Sequence, residues 1–129
     1  MEYSTFGRHI IVDLWGVDFD RLNDVAFLEK HMHEAAKASG ATVLSVDYHR
    51  FDPHGVTAFV ILSESHLSIH TYPEKGFAAL DGYTCGHTVD PLKAINYLIS
   101  VLEPDRVNSV KVVRGQGGLT INKLSLSDD

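Results

Sequence analysis

Val56-Thr57-Ala58-Phe59-Val60-Ile61-Leu62-Ser63 and His66-Leu67-Ser68-Ile69-His70-Thr71-Tyr72, separated by Glu64-Ser65 and closed by Pro73, decide how this chain folds. Both runs are rich in β-branched and apolar residues, and Pro73 ends the second because it has no N–H to give to a ladder. They predict strands over 56–63 and 66–72. Working outward, Thr42 to Phe51 and Phe77 to Tyr83 read the same way. Four strands thus follow one another over short connections, which favours an antiparallel sheet.

The flanks supply the second layer. Ile10, Val12 and Leu14 alternate with His9, Ile11, Asp13 and Trp15, a strand with apolar residues on both faces. Gly16 to Asp20 reads as a turn. From Asp24 the spacing of Val25, Leu28, Met32, Ala35 and Ala36 predicts a helix that stops at Gly40. Asp90-Pro91 is an N-cap and first-turn pair, and Leu92, Ile95, Leu98, Ile99 and Leu102 predict a second amphipathic helix. Arg106 to Arg114 returns to strand. Gly115-Gln116-Gly117-Gly118 interrupts it, Leu119 to Lys123 reads as a short edge strand, and Ser125 to Asp129 as a loose acidic tail. The expected fold is α+β, a two-layer sandwich of an antiparallel sheet with two helices on one face. No repeat, linker or low-complexity segment divides it, so residues 1–129 are expected to form a single domain.

A chain of 129 residues has much surface for its volume, and self-association would relieve that. Its hydrophobic fraction of 44% and charged fraction of 22% are those of a globular protein. No apolar run is long enough to span a bilayer, and Met1-Glu2-Tyr3-Ser4 does not open a signal segment, so a cytoplasmic protein without a membrane partner is expected. The net charge of −6, with no basic block, argues against nucleic acid and suits a cationic small molecule. Cys85, the only cysteine, cannot form an internal disulfide and fits a reducing compartment. His66 and His70 on one strand lie roughly 13 Å apart at about 3.3 Å per residue, too far to share an ion. His31 and His33, two apart on a helix, point to nearly opposite sides. No metal site is expected.

Three residues offer chemistry. A serine hydroxyl at Ser65 can attack the carbonyl of Glu64 through a five-membered ring, turning the amide into an ester. His70 has a pKa near neutrality and shares a strand face with Ser68 and Tyr72, so it can act as a base. Read from the residues alone, it is first a satisfied, half-buried side chain. Cys85 is on the same terms a small buried apolar group, or a thiol facing a cleft from the turn Thr84-Cys85-Gly86.

Glu64-Ser65-His66, His70 and Cys85, together with Gly7-Arg8-His9, Ser39-Gly40-Ala41, His49-Arg50-Phe51, Gly55-Val56 and Tyr83-Thr84-Cys85-Gly86, tip these readings. Over residues 6 to 115 the chain resembles the bacterial S-adenosylmethionine decarboxylase proenzymes of the short pyruvoyl-dependent type. The resemblance implies cleavage between Glu64 and Ser65 into a β chain of residues 1–64 and an α chain of residues 65–129. Ser65 becomes the pyruvoyl cofactor that forms a Schiff base with the substrate, His70 assists processing, and Cys85 reprotonates the product carbon. It also implies S-adenosylmethionine as substrate, decarboxylated for spermidine synthesis, and a homodimer of αβ units. Phe51 and Tyr72 are then candidates to stack on adenine and Glu74 to accept the ribose hydroxyls. Core packing for Phe51 and a solvated turn for Glu74 are the plainer alternatives.

Two positions depart from the family pattern. Thr57 stands where a serine that helps processing is common, keeping the hydroxyl but adding a methyl. Gly82 stands where a bulkier side chain is usual, a change expected to reshape the pocket. Rival readings are a pyruvoyl-dependent decarboxylase of ornithine or arginine, and a non-catalytic binding subunit that keeps the fold.

Overall fold

A computed structural model describes residues 5–126. The elements run β1 (Gly7–Trp15), α1 (Phe19–Leu22), α2 (Val25–Ala38), β2 (Val43–Arg50), β3 (Val56–Leu62), β4 (Ser65–Tyr72), a 3-10 turn (Pro73–Lys75), β5 (Phe77–Cys85), α3 (Pro91–Leu102), β6 (Arg106–Arg114) and β7 (Thr120–Leu124). The strands make one seven-stranded sheet in the order β2-β3-β4-β5-β1-β6-β7. Every neighbouring pair is antiparallel.

Side-chain alternation sorts the sheet into two faces. Ile10, Val12 and Leu14 of β1, Val56, Ala58, Val60 and Leu62 of β3, Leu67 and Ile69 of β4, and Ala78 and Leu80 of β5 are buried beneath the helices. Leu28, Met32, Ala35 and Ala36 of α2 and Ala94, Ile95, Leu98 and Leu102 of α3 close over them. Each such large aliphatic side chain contributes about 1.5–3 kcal/mol by leaving water. Asp90 caps the second long helix as expected, accepting from the Leu92 N–H with Pro91 in the first turn, and Asp24 caps the first, accepting from the Phe27 N–H. The two-layer α+β reading is therefore the observed architecture.

Among the described residues the opposite face carries no helix. Ile11, Phe59, Ile61 and Ile121 stand on it at 41%, 39%, 45% and 66% exposure, an apolar surface of the kind that normally meets a partner.

Several local expectations need correction. The turn expected over Gly16 to Asp20 is shorter, because Phe19–Leu22 forms the one-turn helix α1; four residues show no periodicity, and tertiary packing of the buried Leu22 holds them. Ser65 belongs to β4 and Cys85 is the last residue of β5, one or two residues beyond the ends expected for those strands. Leu126 packs against the core, so the acidic tail does not begin at Ser125, and its residues 127–129 lie outside the described residues. Among the described residues no helix is long and apolar enough to cross a membrane.

Candidate active site

Strands β3 and β4 form a hairpin in which Leu62 pairs with Ser65, so Ser63-Glu64 is a two-residue turn and the Glu64-Ser65 bond sits at its exit. The turn is anchored from outside. The Thr42 N–H donates to the Glu64 carboxylate at 3.1 Å, and the Ser63 N–H donates to the Thr42 carbonyl at 3.0 Å. Burial works against the charged form of Glu64, but hydrogen bonds from Ser63 and the Thr42 backbone outweigh it and hold its carboxyl below the usual range.

Two features meet at this bond. Ser65 has φ 145°, a conformation that side chains other than glycine rarely adopt, and such strain persists only where the surroundings over-determine it. The Glu64 carbonyl oxygen, on the carbon that Ser65 would attack, accepts from the Cys85 N–H at 3.0 Å and lies 3.3 Å from the Cys85 thiol. Donors already aimed at an oxygen stabilise the negative charge that develops on it during attack. Cys85 is an exposed free thiol. Beside it Phe6 accepts from the Gly86 N–H at 2.9 Å through its carbonyl, and the Phe6 ring stacks on His87 with centroids 4.5 Å apart.

The remaining candidates gather elsewhere. Thr57 and His70 face each other across β3 and β4 and share a hydrogen bond at 3.1 Å. They line a cavity of about 350 Å³ together with Phe51, Tyr72, Glu74 and His54. Phe51 and Tyr72 are 48% and 51% exposed, so neither is a core residue and both present ring surface beside the cavity. Five of the residues singled out in the sequence thus share one pocket. That pocket is not at Ser65, because five residues of extended strand separate Ser65 from His70, roughly 16 Å at about 3.3 Å per residue. Within one chain the structure brings Glu64, Ser65 and Cys85 together at one end of β4, and Thr57, His70, Phe51, Tyr72 and Glu74 at the other.

Gly82 faces neither group. A side chain there would meet Leu67 and Pro91 in the helix layer, so the expected effect on the pocket does not follow; the alternation of β5 points position 82 away from it.

Sequence reasoning missed a polar cluster on the open face. Asp81 of β5 accepts from His9 Nε2 of β1 at 2.7 Å, from His66 Nε2 of β4 at 3.0 Å and from the Ser68 hydroxyl. Burial again opposes ionisation, but the three donors prevail and hold the Asp81 carboxyl below the usual range. The ligand atoms of His9, His66 and Asp81 lie within 4.8 Å of one another. Arg114 reaches His9 Nδ1 at 3.4 Å and can only donate. His9 Nε2 therefore bears the proton and gives it to Asp81, the arrangement of a hydrogen-bonded cluster rather than of metal ligands. The only signal in the sequence was a carboxylate directly after the apolar run Phe77-Ala78-Ala79-Leu80.

The chain is similar to known proteins over most of its length. Residues 8–115 match the family model described as S-adenosylmethionine decarboxylase. A protein of Brevibacillus brevis named S-adenosylmethionine decarboxylase proenzyme is 66% identical over 94% of this chain and 91% of its own. A Bacillus cereus protein named S-adenosylmethionine decarboxylase proenzyme 2 is 64% identical over 91% of this chain and 95% of its own. Among solved structures, the adenosylmethionine decarboxylase of Aquifex aeolicus superposes with a TM-score of 0.79 at 40% identity, covering 92% of this chain and 96% of that one.

Proposed function

The chain belongs to the S-adenosylmethionine decarboxylase family, and from that premise we propose that it is a proenzyme that cuts itself at Glu64-Ser65 and then decarboxylates S-adenosylmethionine. The observation that carries this reading is the scissile carbonyl itself, whose oxygen faces the Cys85 N–H at 3.0 Å and the Cys85 thiol at 3.3 Å while Ser65 is held strained at φ 145°.

The steps follow from those atoms. Ser65 Oγ adds to the Glu64 carbonyl carbon, its proton passes to the Ser65 nitrogen, and the C–N bond breaks to leave an ester. A base removes the Cα proton of residue 65, and the ester oxygen leaves Cβ as part of the main-chain carboxylate of Glu64, so the chain parts. The dehydroalanine left at residue 65 tautomerises to an imine, and water replaces its nitrogen, which departs as ammonia. The residues present fit a pyruvoyl group at this position: the hairpin exit delivers the serine, and the Cys85 N–H and thiol stand at the Glu64 carbonyl oxygen, where the thiol can hold and return a proton. A pyruvoyl group supplies a carbonyl that takes up the electron pair freed when carbon dioxide leaves an α-amino acid. Cys85 then protonates the carbon that lost it.

The base and the substrate pocket come from a second copy in this reading. His70 and Thr57 are roughly 16 Å from Ser65 along their own strand, and the open face carries Ile11, Phe59 and Ile61 uncovered. A homodimer with the two open faces together buries that surface and lays the Thr57–His70 pocket of one copy over Ser65 and Cys85 of the other. Phe51 and Tyr72 then offer ring faces to adenine, and Glu74 its carboxylate to the ribose hydroxyls. The net charge of −6 favours a cationic sulfonium substrate. The free thiol of Cys85 suits a cytoplasmic location.

Co-expressed Ser65→Ala and His70→Ala chains test the whole scheme. S-adenosylmethionine labelled at its carboxyl carbon should release labelled carbon dioxide with the wild type and with the mixed dimer, at up to about half the wild-type rate because one of two sites is whole. Each variant alone should release almost none. No release from the mixed dimer, with an active wild type, would mean that one chain supplies its own site.

A further inference from the structure

We propose that Asp81 is a positioning residue for residue 65, clamping the start of β4 in place once the chain is cut. The proposal rests on the reading that the Glu64-Ser65 bond is cleaved. Before cleavage, residue 65 is fixed by the hairpin turn, by the contacts of Glu64 with Thr42, and by its pairing with Leu62 and Thr84. Cleavage removes the covalent tie, and residue 65 becomes the first residue of a chain. Chain ends fray unless something beyond the ladder holds them, yet the group at residue 65 must stay beside Cys85.

Asp81 is built to do that. It faces Ser68 across β4 and β5, and accepts from the hydroxyl of Ser68 and from His66, the residue that directly follows Ser65. Its third donor, His9, ties the clamp to β1. His66 is held from its other side by Phe59 of β3, ring on ring at 5.1 Å and 19°. Arg114 of β6 donates to His9 and lies 4.6 Å over the ring of Tyr83 on β5. Side chains from β1 and β4 therefore meet on one carboxylate of β5 just inside the cleavage point, backed by Phe59 of β3 and Arg114 of β6. The two histidines share Oδ2 and the Ser68 hydroxyl takes Oδ1; an asparagine of the same shape offers one oxygen, presents an N–H at the other position and loses the charge that strengthens all three bonds.

The geometry separates this role from a merely structural one, because the clamp matters after the cut and little before it. In cleaved protein, Asp81→Asn should speed amide hydrogen exchange over residues 66–68 at least 10-fold, whereas in the uncut Ser65→Ala background the same substitution should change it less than threefold. Turnover should fall about 10- to 100-fold in kcat, the scale of a misplacement near 1 Å, with KM changed less than threefold and the chain still fully cut. Ser68→Ala, which removes a single arm, should give the same pattern more weakly and serves if Asp81→Asn folds poorly. Equal acceleration of exchange in cut and uncut protein, or none in the cut protein, would overturn the proposal. An uncut wild type would instead overturn the cleavage reading first, and is seen at once in the chain masses.

Discussion

Cys85 touches the Glu64 carbonyl with two different groups, and they separate by mutation. The backbone N–H at 3.0 Å survives any side-chain change, whereas the thiol at 3.3 Å does not. Cys85→Ala should therefore still cleave, more slowly by up to about 10-fold, while turnover falls about 10²- to 10⁴-fold, the usual scale for losing a general acid. A time course of chain masses beside release of labelled carbon dioxide measures both; wild-type turnover would remove Cys85 from the reaction. At this scale the sequence was informative wherever residue type carries the chemistry. The Glu64-Ser65 pair, the lone cysteine, and the aromatic and acidic pocket residues were all visible in it. Asp81 was not, since its three donors arrive from β1 and β4, and no spacing within one segment announces a contact between strands. The strain at Ser65 was equally hidden, because serine carries no mark of a φ of 145°.

Among the elements, the long strands and both long helices followed from period and caps, with ends shifted by a residue or two. The one-turn helix Phe19–Leu22 escaped because four residues are too few to show a period. Strand register decides most of what remained. Alternation along β5 puts Asp81, Tyr83 and Cys85 on the open face and Gly82 beneath α3, a distinction that needs the observed pairing with β1 and β4. Gly82 is then a question of packing. A Cβ there would come 3.3 Å from Leu67 Cδ1, a methyl free to give way, and 3.8 Å from Pro91. Glycine in a strand interior weakens it through backbone entropy, so Gly82→Ala should raise stability by about 0.5–1 kcal/mol, read by denaturant unfolding, with cleavage and turnover unchanged. A loss of stability would show that Leu67 cannot yield. A change in substrate preference would put position 82 back into the pocket.

For the molecule as a whole, one sheet has a face covered by helices and an apolar face that the proposed homodimer would bury. Composition pointed to self-association only through size; the exposed Ile11, Phe59 and Ile61 give it a surface. In the proposed homodimer, Ser65 and His70, five residues apart in sequence, would act on one bond from different chains. All of this depends on the chain cutting itself at one place. The most direct test is the intact mass of the purified, untagged protein. The account predicts two chains divided between Glu64 and Ser65, the second beginning with a carbonyl in place of an amino group. One full-length mass after long incubation, a cut at another bond, or a second chain that begins with an ordinary serine would contradict it.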